Sequence, residues 1–262
     1  MLQDITPSFL QSYENYMIKE GSSISTVGIY LRQLRAIINK AIKEGAFPAN
    51  LYPFKKYQIP ASRNIKKALN EDDLKLLFNY TPIRVDETKA LDFWKLSYLC
   101  NGMNFADIIA LKRENMNGNF LNFLRVKTIR TKKKDLTPIK VALHPTAKQI
   151  IEKYKNQDTN SPYLFHILEP NLNATTIKNR CKRFIKWVNE RMERIRKELK
   201  IDKELTTYSA RHSFSTVLMR KGVSTQFIKE SLGHSSITVT ENYLASFNDD
   251  VKLETANLLT DF

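Results

Sequence analysis

The residue types that could do chemistry gather in two stretches. The later one reads Tyr208-Ser-Ala-Arg211-His212-Ser-Phe, then Leu232-Gly233-His234-Ser-Ser, then Tyr243, nine residues beyond His234. A guanidinium is permanently charged, and its fork matches two oxygens of an anion at once. A phenol ionises near pH ~10, so at neutral pH it attacks only beside positive charge or a base. An imidazole changes charge near neutrality and can carry a proton. The earlier stretch, Arg125-Val-Lys-Thr-Ile-Arg-Thr-Lys-Lys-Lys134, has six basic residues in ten: Arg125, Lys127, Arg130, Lys132, Lys133 and Lys134. Such a run suits a phosphate backbone. Each piece alone has a plainer reading. The charge run reads as a solvated loop, the tyrosine as a packing residue, the histidine as a structural one, and the arginine as an ion pair.

The elements that must position these groups follow from composition and periodicity. The chain has 262 residues, enough for two domains, and 42% of them are apolar, enough for real cores. A net charge of +15 points to a polyanionic partner. No apolar run approaches a membrane span, and no basic amphipathic helix suits a membrane surface. The start, MLQDITPSFLQ, shows no export signal. Cys100 and Cys181 stand far apart, without metal-ligand spacing. The expectation is a reducing, cytoplasmic setting at the nucleoid, with no disulfide, metal or cofactor.

The fold class expected is mainly α in two domains. Residues 1–60 read as a small all-α bundle. Thr6-Pro7 starts one helix, and Phe9, Leu10, Tyr13 and Met17 recur at helical spacing up to Gly21. A second helix begins near Ser25, with Val27, Tyr30, Leu31, Leu34, Ile38 and Ile42 as its apolar stripe, and ends at Gly45. Arg32 and Arg35 give this bundle a basic face. Residues 61–67 read as a linker. Residues 68–262 read as an α+β domain, mostly helical with a small antiparallel hairpin. Asn70 caps its first helix. Further helices are expected over 91–100, 106–112 and 145–154, and strands over 119–127 and 137–143. Lys127 falls inside the first strand, where a side chain can be aimed at one atom. Beyond Tyr154 the chain reads as helical with pauses at 171–173, Gly222, Gly233 and Phe247. Arg211 is expected to open a helix running to about Arg220, and His234 to sit at a glycine corner.

The ordered set Arg-His-Ser-Phe, Leu-Gly-His-Ser and a tyrosine nine residues on resembles the signature of the tyrosine recombinases, or phage-type integrases. The resemblance covers nearly the whole chain. It implies that Tyr243 attacks a DNA phosphodiester, that Arg211 holds the non-bridging oxygens, and that His234 hydrogen-bonds the phosphate and assists proton movement. It implies that Lys127 protonates the leaving 5′ oxygen. A 3′-phosphotyrosyl link would conserve the bond energy, so no metal or nucleotide is needed. The partner implied is duplex DNA with an inverted-repeat core site, bound as a homotetramer, with a monomer in solution. Arg125, Arg130, Lys132, Lys133, Lys134, Arg32 and Arg35 are the expected DNA-backbone contacts.

Two positions depart from the family's pattern. Asn104 stands where the family has its first arginine, in Asn101-Gly102-Met103-Asn104-Phe105-Ala106-Asp107, with Asp107 at the acidic position that follows. Arg113 or Arg125 could stand in for the lost charge. Tyr208 stands where the family has a histidine, and it can hydrogen-bond but is a poor acid or base at pH 7. These departures keep a non-catalytic DNA-binding or architectural reading open. A type IB topoisomerase and a merely basic or RNA-binding protein are the other rivals. His212, His144 and His166 read as structural. Ser213 and Ser235 lack a G-x-S-x-G elbow. Val251, Leu258 and Leu259 in the segment 247–262 would pack on their own chain or on a neighbouring subunit.

Overall fold

The computed structural model describes residues 2–61, 68–129, 136–234 and 240. The chain divides into two compact units, 1–65 and 66–262. Apart from Ala61, the linker expected at 61–67 lies outside the described residues, as do Arg130, Lys132, Lys133, Lys134, Tyr243 and the segment 247–262.

The first unit is built on α1 (Pro7–Lys19) and α2 (Ile24–Lys43). Thr6 Oγ1 accepts the Phe9 N–H ahead of Pro7, and Ser23 Oγ accepts the Thr26 N–H, so each helix starts at a hydroxyl cap. Leu10, Met17, Val27, Leu31 and Tyr57 form one buried cluster, and Ile38, Ala41 and Phe47 a second. The stripe expected on α2 is narrower than the sequence suggested. Tyr30 lies one residue off the Val27–Leu31 row and is exposed, as is Phe9 on α1. Arg32 and Arg35 are exposed.

The second unit is mostly helical: α3 (Glu71–Asn79), α4 (Val85–Leu99), α5 (Phe105–Ile109), α6 (Val126–Ile129), α7 (Pro145–Tyr154), α8 (Ala174–Glu198), α9 (Thr207–Arg220) and α10 (Thr225–Leu232). Its sheet runs β1 (Met116–Asn117), β2 (Phe120–Phe123), β3 (Ile139–Ala142), antiparallel throughout, with Leu121 opposite Val141 and Phe123 opposite Ile139. Helix α4 is the axis, packed by α7, α8 and α9. Its Phe93 and Trp94 are fully buried. The Trp94 indole donates to the Thr206 carbonyl, tying α4 to the start of α9.

Several expected boundaries are corrected. Helix α4 begins at Val85, not 91, and α5 ends at Ile109 instead of 112. The strand expected to reach Lys127 stops at Phe123, and its partner spans 139–142. The stretch 155–170 is irregular, not helical, while the pause expected at 171–173 is present. It is pinned by isolated bridges of Lys112 to Tyr163 and Lys155 to Phe165. Its prolines, Pro162 and Pro170, and its asparagines favour turns over helix. Among the described residues no helix is long and apolar enough to cross a membrane.

Candidate active site

Arg211 does not open its helix. Helix α9 begins at Thr207, where Ser209 Oγ accepts the Thr206 N–H, so Arg211 lies more than a turn inside. It is only 2% exposed. Its Nη1 donates to the Gly102 carbonyl at 2.9 Å, and its Nη2 donates to the Leu232 carbonyl at 2.7 Å. The same Nη2 lies 2.9 Å from His234 Nε2. The loop after α4 can come this close because residue 102 has no side chain. Its φ is +61°, and a Cβ there would sit 2.9 Å from the Arg211 Cα. Backbone cannot yield to relieve that contact.

His234 occupies the corner after α10. Gly233 is left-handed at φ +62°, its N–H bonds to the Glu230 carbonyl, and the His234 N–H bonds to the Lys229 carbonyl. This pair of bonds is the Schellman ending, which throws the next side chain off the helix axis. The imidazole's tautomer follows from its neighbours. An arginine can only donate, so Nε2 carries the lone pair. The proton of a neutral ring is then on Nδ1, which donates to Thr240 Oγ1 at 2.9 Å. Burial above all, and then Arg211, Arg125 and Lys127, push the imidazole pKa from 6.5 down to about 3.

That shift gives acid sensitivity with a defined sign. Between pH 6.5 and about 3 the unfolded chain binds a proton that the fold refuses. This group's contribution is fully present above pH 6.5 and declines below it, by at most about 1.4 kcal/mol per pH unit. Urea midpoints of the wild type are expected to fall more steeply from pH 6.5 to 4.5 than those of His234→Gln. Parallel curves would refute it.

A second wall comes from the turn after β2. Asp107 on α5 is buried, and its Oδ1 accepts the Val126 N–H at 2.8 Å. That bond draws the chain out of the ladder and starts α6, so Lys127 stands on a single helical turn, exposed, and not on a strand. Burial raises the Asp107 pKa, against the opposing effects of the Val126 N–H, Arg125 and Asn104. Asn104 precedes α5, with its Nδ2 3.5 Å from Asp107 Oδ2. Arg125 is mostly buried. Its Nη1 donates to the Gly233 carbonyl at 3.0 Å, and its Nε lies 3.9 Å from Asp107 Oδ2. Of the two arginines offered as stand-ins, Arg125 therefore reaches the His234 corner. Arg113 is occupied elsewhere, donating to the carbonyls of Asn156, Asp158 and Ser161.

The structure thus brings Arg211, His234, Arg125 and Lys127 together, with Asn104 behind Asp107. Tyr208 is 42% exposed in the first turn of α9, its ring edge-on to His212 at 4.7 Å. His144 caps α7, accepting the Thr146 N–H. Sequence reasoning missed Thr240 and the carbonyls of Gly102, Leu232 and Gly233. The Asn101-Gly102 pair signals a turn, but nothing local says which side chain that turn will meet. Among the described residues, no group of three or more His, Cys, Asp and Glu is placed to hold a metal ion.

The second unit is thus a helical domain with a small antiparallel sheet that holds a buried arginine–imidazole pair walled by further cations. Comparison with known proteins gives its family. The Phage integrase family matches residues 67–249, and the Phage integrase SAM-like domain matches residues 1–59. The chain belongs to the phage integrase family, the tyrosine recombinases, whose role is DNA cleavage and rejoining. A tyrosine recombinase of Thermosipho africanus is 25% identical over 228 residues, covering 84% of this chain and 71% of the relative. The Tn1549 transposon integrase, solved in complex with a circular intermediate DNA, superposes with a TM-score of 0.70 at 17% identity, over 97% of this chain and 85% of that one. The lambda integrase tetramer bound to a Holliday junction gives 0.60 at 20% identity, over 95% and 68%. These structural likenesses concern the fold.

Proposed function

We propose that this chain is a site-specific recombinase that integrates or excises a mobile element, cutting and resealing duplex DNA through a 3′-phosphotyrosyl link to Tyr243. The observation that carries this reading is the buried contact of Arg211 with His234, 2.9 Å apart beneath a wall that includes Arg125 and Lys127. Such a pocket is organised for an anion before any anion arrives, which is how charge in a transition state is stabilised most cheaply.

The Tyr243 oxygen attacks phosphorus, and the bond from phosphorus to the 5′ oxygen breaks. The phenol proton leaves to water, its loss favoured by the positive charge of Arg211, Arg125 and Lys127, while the His234 Nε2 lone pair stays with Arg211. Arg211 holds the non-bridging oxygens, and Lys127 gives a proton to the 5′ oxygen. Resealing is the reverse, with a second 5′ hydroxyl attacking the phosphotyrosine. Asn104 is neutral, so Arg125 supplies the second permanent charge. Tyr208 offers a hydroxyl that can hydrogen-bond the phosphate but is a poor acid or base at pH 7. Arg32 and Arg35, with Arg130, Lys132, Lys133 and Lys134, contact the DNA backbone. The Tn1549 and lambda integrase complexes support duplex DNA as partner and a tetramer as the working assembly. No metal, nucleotide or other cofactor enters this chemistry.

A nicked suicide duplex tests the proposal by trapping a covalent complex. Lys127→Ala is expected to slow trapping by about 10²–10⁴-fold, the usual worth of a general acid. A substrate with a 5′-thiolate leaving group, which needs no acid, is expected to restore the rate. Equal rates on both substrates would remove Lys127 from that role. The absence of a first arginine at Asn104 favours one other reading, a DNA-binding protein without cleavage. That reading predicts binding to the same duplex and no covalent complex at all.

A further inference from the structure

We infer that Thr240 is a positioning residue, whose hydroxyl orients the His234 imidazole and ties it to the stretch of chain that carries Tyr243. The inference rests on the recombinase reading for its catalytic consequence and on geometry for everything else.

Thr240 is fully buried, and its Oγ1 lies 2.9 Å from His234 Nδ1. The opposite ring nitrogen meets the Arg211 guanidinium at 2.9 Å. The ring is therefore held from both ends, and the two ends ask for opposite things. The guanidinium can only donate, so the far nitrogen must donate in turn, and it needs a buried acceptor. A hydroxyl is a suitable one, because it accepts without adding charge beside Arg211, Arg125 and Lys127. A carboxylate there would favour imidazolium, whose second N–H would face a guanidinium that only donates. Thr240 also lies three residues before Tyr243. Three residues of chain span at most about 11 Å, so a bond at Thr240 limits where the nucleophile's segment can go.

The test uses the full chain and three variants. In ¹⁵N-histidine spectra of the free protein, with only four histidines to assign, the His234 Nδ1 proton is expected as a slowly exchanging resonance. Thr240→Val keeps the shape but removes the acceptor. It is expected to abolish that resonance and to slow covalent trapping about tenfold, the cost of one hydrogen bond. Thr240→Ser is expected to restore both. His234→Gln identifies the resonance by deleting it. Melting curves confirm that each variant is folded. A folded Thr240→Val that keeps the resonance and the rate overturns the inference, and so does a folded Thr240→Ser that restores neither. If the wild type traps no covalent complex, the recombinase reading fails, and the spectra alone still decide the role of Thr240.

Discussion

Arg211→Ala is expected to slow covalent trapping on the nicked duplex by about a thousandfold or more. Loss of one preorganised donor from an anion site costs about 10²–10³ in rate, and here a full buried charge goes with it. Bonds to Gly102 O, Leu232 O and His234 Nε2 hold the side chain before substrate arrives, so little freedom remains to be lost on binding. The same bonds carry a second cost. Without the guanidinium, two buried carbonyls lose their partner, at about 1–3 kcal/mol each, and the melting temperature should fall. Arg211→Lys separates the two effects. It keeps the charge but cannot fork, so it should recover some binding and little of the rate. Gel-shift affinity, melting and trapping measured together check this. A variant that binds and melts like wild type and still traps at full rate would take Arg211 out of the chemistry.

Tyr243→Phe is expected to remove the covalent complex altogether, a loss of at least about 10⁴-fold, because a deleted nucleophile leaves no oxygen to form the ester. The ring remains, so packing and DNA affinity should change little. A denaturing gel of the trapped reaction is the readout. An SDS-stable complex formed by the phenylalanine variant would assign the nucleophile to another residue. The two variants differ in a useful way. Arg211→Ala should lose stability and rate together, whereas Tyr243→Phe should lose only the rate.

How much of this was legible follows the range of the interactions. Helix starts that depend on a hydroxyl and the next three residues, such as Thr6 with Phe9 N–H, could be read directly. So could α7, whose proline start and apolar spacing gave both ends correctly. The His234 corner was also local, since a left-handed glycine ends a helix by bonds to residues just behind it. Lys127 shows where that stops. Asn119 to Lys127 reads as strand-like, yet the Val126 N–H is taken by a carboxylate 19 positions back. No window of nine residues contains that competitor. Likewise the irregular 155–170 stretch was hidden by the helical sequences on either side of it.

By itself the sequence determined a basic chain with a helical bundle at its start, a helical catalytic half and the ordered arginine, histidine and tyrosine of a strand-transfer enzyme. Each of those depends on residue type and short spacing. The tertiary structure alone decided that the Arg211 guanidinium meets Gly102 and the Arg125 guanidinium meets Gly233, contacts between residues 109 and 108 positions apart. It also decided that Thr240 faces the imidazole. A side chain's partners across such separations are chosen by how α4, α9, α10 and the sheet pack, and packing is a property of the whole core rather than of any segment within it.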